Sequence, residues 1–371
     1  MELNAEDALR LQVLIARSDA IRIDEATMTV YGLGEDTEHM VRLNVAGQNQ
    51  RYLKKVRELL SSQAIDSPSG YPGFLSRWTR MRQVKSNRLN DLLKLGEPEA
   101  VIAVAAATTL DPTTAAKVWW AYQSSETARF LLEHDRICEA SIGQEVADYL
   151  LEFLPFETEY LMVARDTALI LKVASIDGDI VNSLWRRAQR KTSILLGFLM
   201  ARPLNLPPVM KTGQYRNHGT DPSLTWNRGT SSVDTGNDFG NLMPLLLDTP
   251  GQQFCRVTEK VLTQAADQEI VSACLGVITS TLAPLRPPGE ECASIDEIHQ
   301  RLTEHSSPGF GVFPVELKKR VYALRFLSMA GDSLIRDYCV KSSAVGSLMR
   351  KQLAPVLDPV CDELRIACGG Q

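Results

Sequence analysis

The side chains of this sequence best suited to chemistry are seven cysteines: Cys138, Cys255, Cys274, Cys292, Cys339, Cys361 and Cys368. A thiolate is a nucleophile and a sulfur carrier when its surroundings favour the anion and a partner can reach it. The seven are scattered and odd in number in a large chain. That is not a disulfide framework, and it suits a reducing compartment. Cys368 stands apart, because the last eleven residues read CDELRIACGGQ and two glycines follow it. This position predicts the most mobile thiol of the chain, an arm able to carry a persulfide into a partner's site. On a helix Cys361 and Cys368 share one face about 10 Å apart, too far for a disulfide. Only Arg365 stands close enough in sequence to favour the Cys368 thiolate, and a terminal cysteine is more often an unselected thiol.

Other chemical patterns resolve into ordinary structure. Asp234-Thr235-Gly236 matches the aspartic-protease triplet, but that chemistry needs two carboxylates sharing a proton, and one copy in a Gly/Ser/Asn-rich stretch reads as a turn. Gly32-Leu33-Gly34 follows a strand pattern as a dinucleotide loop does. Thr37 stands where the third glycine belongs, and a strand follows, so a hairpin turn is expected. Cys292, His299 and His305 lack the paired spacing of a zinc site, and the two histidines fall on a solvated helix and its exit. No H-E-x-x-H, P-loop or G-x-S-x-G run occurs. No catalytic residue, metal ligand or cofactor is assigned.

Two clusters of cations remain. Arg77, Arg80, Arg82, Lys85 and Arg88 interleave with Phe74 and Trp78; Arg186, Arg187, Arg190 and Lys191 lie on a helical stretch with Trp185. Cations beside aromatics hold single strands or phosphates, and cations alone dock acidic proteins. With a net charge of −5, the chain as a whole is not a general nucleic-acid sponge, and a protein partner is expected ahead of nucleic acid. Charge comes in blocks: 1–40 and 101–160 are acidic, while 41–90 and 181–220 are basic. Such blocks mark a partner-binding face or neutralise one another within the fold. Trp119 and Trp120 read as core and helix-contact residues.

These residues must be positioned by a mainly α chain, an irregular helical-hairpin, α-solenoid-like architecture with a small N-terminal β-hairpin or sheet. Asn4 caps a first helix ending near Ser18. Residues 21–23, 27–31 and 39–45 are rich in β-formers, and helical period returns over 48–62. Past the breakers at 67–73, helices are expected over 89–95, 98–107, 112–122, 125–132, 142–154 and 157–174, with Pro98 and Pro112 as first-turn prolines. A longer helix is expected over 180–201. Further helices are expected over 252–264, 269–282, 295–303 (Ser294 and Glu297 forming a capping box), 314–329 and 332–341, and a last one over 344–367, interrupted near Pro355 and Pro359. Composition divides the chain into an α+β segment 1–92, a helical-hairpin domain 93–205, a long loop or linker 206–248 and a C-terminal helical domain 249–371.

No apolar stretch approaches the roughly 20 residues of a spanning helix, and the acidic start lacks the basic-then-apolar order of a secretory leader, so a cytoplasmic location is expected. Five runs carry a resemblance: 51–60 (RYLKKVRELL), 70–80 (GYPGFLSRWTR), 96–104 (GEPEAVIAV), 144–155 (QEVADYLLEFLP) and 184–191 (LWRRAQRK). The chain resembles the DsrS family, accessory proteins encoded with dissimilatory sulfite reductase in sulfur-oxidising bacteria. The resemblance is best over the first 205 or so residues, and it brings no catalytic residues with it. It implies an accessory protein of cytoplasmic sulfur oxidation, a scaffold or regulator whose partners are proteins of the sulfur-oxidation machinery. Two alternatives stand beside it: a cysteine-based sulfur handler carrying a persulfide, and a regulator that contacts nucleic acid.

Overall fold

The structure is a computed structural model that describes residues 3–34, 37–45, 47–65, 89–208, 237–289, 292–305, 314–341 and 344–369. About 70% of these are helical, in 18 α-helices, beside one three-stranded sheet near the N-terminus. The mainly α expectation with a small N-terminal sheet therefore holds. The chain forms two compact units, one of residues 1–155 with 172–176, the other of residues 156–171 with 177–371.

The first unit begins with α1 (Ala5–Arg17), capped as expected: the Asn4 side chain accepts the Glu6 N–H at 3.0 Å. Strands β1 (Ala20–Asp24), β2 (Thr29–Leu33) and β3 (Glu38–Arg42) then pair antiparallel in chain order, with Ile21 opposite Gly32 and Tyr31 opposite Met40. A Cβ on Gly32 would stand 2.1 Å from the Ser18 Oγ and 2.9 Å from Leu14, so glycine is what lets the end of α1 settle on β2. Helix α2 (Asn49–Ile65) completes this core with Tyr52, Leu53, Val56 and Leu60 against Leu11, Leu14, Ile21 and Val30.

One buried polar cluster ties these pieces. Asp7 is fully buried; its carboxylate accepts the Tyr52 hydroxyl at 2.5 Å, the Asn44 backbone N–H at 2.8 Å and the Asn44 amide at 3.2 Å. A carboxylate can be buried because such donors replace its water. Burial, and then the bond to Asp7, push the Tyr52 phenol up from its ordinary range. The unit continues in short helices: α3 (Leu89–Leu92), α4 (Pro98–Ala105), α5 (Pro112–Ala121), α6 (Ser125–Leu132), α7 (Asp135–Cys138) and α8 (Ser141–Phe153). Helix α4 packs on α5 and α6, α6 packs on α8, and α5 packs on β1.

The second unit holds α9 (Tyr160–Lys172) as far as Leu171, α10 (Gly178–Ala188), α11 (Thr192–Ala201), α12 (Asn237–Leu247), α13 (Thr249–Thr263), α14 (Gln268–Thr281), α15 (Ile295–Glu304), α16 (Val315–Leu327), α17 (Ser333–Lys341) and α18 (Gly346–Ala367). Helix α13 is its spine, packing on α11, α12, α14 and α18; α18 also packs on α16 and α17.

Three expectations are corrected. The single helix over 180–201 is two, α10 and α11, with a turn at 189–191. Amphipathic α10 gives way there to α11, buried from Ser193 to Leu199, and no glycine or proline in the sequence marks the change. The loop expected over 206–248 contains α12, which carries Pro244 within it. The interruption near Pro355 and Pro359 is absent, because α18 runs straight through both. Pro355 frees the Lys351 carbonyl and Pro359 frees that of Pro355; Lys351 and Pro355 are both exposed, so water can satisfy these groups. The two compact units also cut the chain elsewhere than the four segments read from composition.

Tyr52→Phe keeps the ring and removes the hydroxyl from a buried carboxylate. Urea unfolding of the full chain should show a loss of about 1–3 kcal/mol with an unchanged denaturant slope. A change within about 0.5 kcal/mol would mean that the Asp7 cluster does not hold α1 to α2.

Candidate functional site

In the second unit the final helix ends against a buried cation. Arg320, on α16, is 5% exposed; its Nε donates to the Ala367 carbonyl at 3.0 Å and its Nη2 to the Leu247 carbonyl at 2.9 Å. These oxygens lie at the C-termini of α18 and α12, where helix carbonyls have no intrahelical partner and the helix dipole is negative. Burial draws the Arg320 pKa below its ordinary value.

Cys368 caps α18 beside this cation. It is 9% exposed; its Sγ accepts from Arg256 Nε at 3.2 Å and donates to the Gln252 carbonyl at 3.6 Å. The expected mobile arm is thus corrected: Cys368 is a buried thiol with two partners on α13. The reason is long-range, since Arg256 lies 112 residues away in sequence, and no local pattern reports it.

The remaining thiols are poor nucleophiles. Burial first of all raises the pKa of Cys138, Cys255, Cys274, Cys292, Cys339 and Cys361, the last to about 12. Cys339 is the one cysteine that is not fully buried. It lines a shallow depression with Arg165, Met200, Glu269, Ser272 and Asp332, and after burial the Asp332 charge further disfavours its thiolate.

The basic cluster of α10 is placed differently from the aromatic expected to accompany it. Arg186, Arg190 and Lys191 are exposed and Arg187 is half-buried. Trp185 is buried and packs edge-on against Phe198 with ring centroids 4.9 Å apart. The interleaving of cation and aromatic expected there is corrected: helical periodicity turns Trp185 inward and the cations outward. None of the four cations has an ion pair or side-chain hydrogen bond among the described residues. Lys260 of α13 joins them, donating its ammonium to the Gln189 carbonyl at 2.9 Å. The α10 C-terminus is therefore a cluster of cations on a helix end, with solvent as its counterpart among the described residues.

Other sequence candidates fall as follows. Arg77, Arg80, Arg82, Lys85 and Arg88, with Phe74 and Trp78, lie outside the described residues, as does Asp234-Thr235-Gly236. Gly32 and Gly34 form the end of β2 and its turn. His299 is on α15, bonded through Nδ1 to the Tyr322 hydroxyl at 2.7 Å; His305 caps that helix and Cys292 is buried. Trp119 is core, donating to Glu145 at 3.0 Å; Trp120 is half-buried, donating to Glu38 at 2.8 Å with Arg22 5.0 Å over its ring.

No family model, curated protein or solved structure matches the chain.

Thiol labelling near neutral pH should modify Cys339 first and leave Cys368 untouched until the protein unfolds. Cys368 labelled ahead of Cys339, read by mass spectrometry, would contradict its burial against Arg256.

Proposed function

We propose that the chain is a non-enzymatic accessory protein, a scaffold or regulator that acts by docking protein partners, with the cationic end of α10 taking an acidic one. One observation carries this reading. Four arginines elsewhere in the second unit are consumed inside the fold: Arg202 on the Leu171 carbonyl, Arg350 on that of Ala265, Arg325 on that of His305 and Arg286 on that of Ser328. Arg186, Arg187, Arg190 and Lys191 are not, and the negative dipole end of α10 favours the first two, in its last turn. Exposed charges of one sign steer an oppositely charged protein and set its register. With Trp185 buried, the patch lacks the stacking platform that single-stranded nucleic acid uses.

The pathway is proposed on a different ground, the resemblance of runs 51–60, 70–80, 96–104, 144–155 and 184–191 to the DsrS accessory proteins. On that ground the partners are proteins of cytoplasmic sulfur oxidation. A second reading, a cysteine-based sulfur handler, draws on the Arg256 contact at Cys368, since a guanidinium stabilises a thiolate or persulfide anion. It requires the end of α18 to move before a partner's sulfur could reach Sγ.

Tagged protein should capture sulfite-reductase or sulfur-relay subunits from extracts of sulfur-grown cells. Replacing Arg186, Arg187, Arg190 and Lys191 together with Ala should lower that capture at least tenfold. Capture should also fall as salt shortens the screening length below about 8 Å. Equal capture by the variant, or none of these subunits with either protein, would remove the proposal.

A further inference from the structure

The first unit carries a second unpartnered surface. Helix α1 has two apolar stripes. Leu11, Leu14 and Ile15 are buried, while Leu9 and Val13, one turn apart on the other side, are 64% and 48% exposed. Met40 of β3 is 71% exposed. Single exposed apolar residues are common and mean little. Here the three line one groove of about 450 Å³ between α1 and β3.

Its rim is charged with one sign. Arg10, Arg17 and Arg42 line the groove, and no carboxylate does among the described residues. Arg10 pairs with Glu6 yet remains half exposed; Arg17 and Arg42 have no ion pair among the described residues. One wall is β3, the last strand of the sheet, whose only strand partner among the described residues is β2. Such an edge presents unpaired N–H and C=O groups, a template for another strand.

We propose that this groove takes an extended, acidic segment of a partner protein, added to the β3 edge as a fourth strand. The proposal rests on the reading that the chain works by docking proteins, and deepens it by naming a second surface and the form of its ligand. An extended segment meets both walls at once: its backbone pairs with β3, and alternate side chains face the Leu9–Val13 stripe. A helix in the same groove would leave the strand edge unpaired. Arg17 and Arg42, which no carboxylate pairs among the described residues, select acidic flanking residues, with Arg10 beside them. The length of β3, five residues, sets the length of segment that can pair.

The test is a titration of isotope-labelled full chain with a synthetic peptide that alternates valine and glutamate. Two controls are the lysine version and a version with a central proline. Saturable shifts and slowed exchange at the Glu38–Arg42 amides are expected with the glutamate peptide, and at least tenfold weaker binding of both controls. Arg17→Glu with Arg42→Glu should weaken the glutamate peptide at least tenfold, with the spectrum otherwise unchanged. Equal binding of the lysine peptide, shifts confined to sites away from β3, or no binding would overturn the proposal. So would a dimer in sedimentation that Met40→Lys dissolves, because a second copy would then own the edge. The titration uses no residue of α10, so its failure and a failure of partner capture are separate results.

Discussion

A fold built from short helices must satisfy the last carbonyls of every one of them, and this requirement organises the second unit. Each helix end leaves backbone oxygens without an intrahelical donor, and burying them bare costs about as much as losing a hydrogen bond. Left-handed glycine caps are the common solution. Here α18 has such a glycine, Gly369, just past its cap, and cationic side chains from elsewhere in the chain serve it and several other ends. Arg320 serves α12 and α18 together, Arg286 reaches the Thr279 and Ser328 carbonyls at the ends of α14 and α16, Arg325 serves α15, Arg350 reaches Ala265 just past α13, and Lys260 serves α10. In the first unit Lys172 does the same for the Glu133 carbonyl at 2.8 Å, at the end of α6. Each such bond also joins two elements, so capping and tertiary assembly are one event.

This pattern separates two kinds of cation that look alike in the sequence. A guanidinium forked onto two carbonyls, like that of Arg320, neither titrates near neutral pH nor reaches a partner. An exposed cation in the last turn of a helix, like Arg186 of α10, stabilises its own helix slightly and keeps its charge for solvent or another protein. The same architecture explains the thiols. Helix packing buries six of the seven cysteines, and for Cys138, Cys255, Cys274, Cys292 and Cys361 burial disfavours the anion. Cys368 is drawn inward because α13 presents Gln252 and Arg256 on successive turns, beside the helix end that Arg320 holds.

Much of this fold was legible locally. Asn4 and Ser294 as caps, Pro98 and Pro112 in first turns, and the strand patterns around Ile21 and Val30 each declare their element through nearest-neighbour chemistry. What was illegible depends on distant partners. The turn between α10 and α11 has no breaker, because burial of α11 rather than local preference sets its direction. Continuity of α18 through two prolines depends on which face water reaches. Of the site, the exposed cations of α10 could be read from composition. The inward turn of Trp185 was readable from helical period. The burial of Cys368 was not, since its partners come from α13 and nothing near position 368 encodes them.

The central claim is that cations consumed at helix ends hold the second unit, whereas those at the α10 end are held in reserve. Comparative urea unfolding of two full-length variants tests it most directly. Arg320→Met leaves two carbonyls unsatisfied and should lower stability by about 2–5 kcal/mol. The fourfold alanine variant at Arg186, Arg187, Arg190 and Lys191 should stay within about 1 kcal/mol of the parent, as exposed charges do. An Arg320→Met protein as stable as the parent, or a fourfold variant that loses as much as Arg320→Met, would contradict the account.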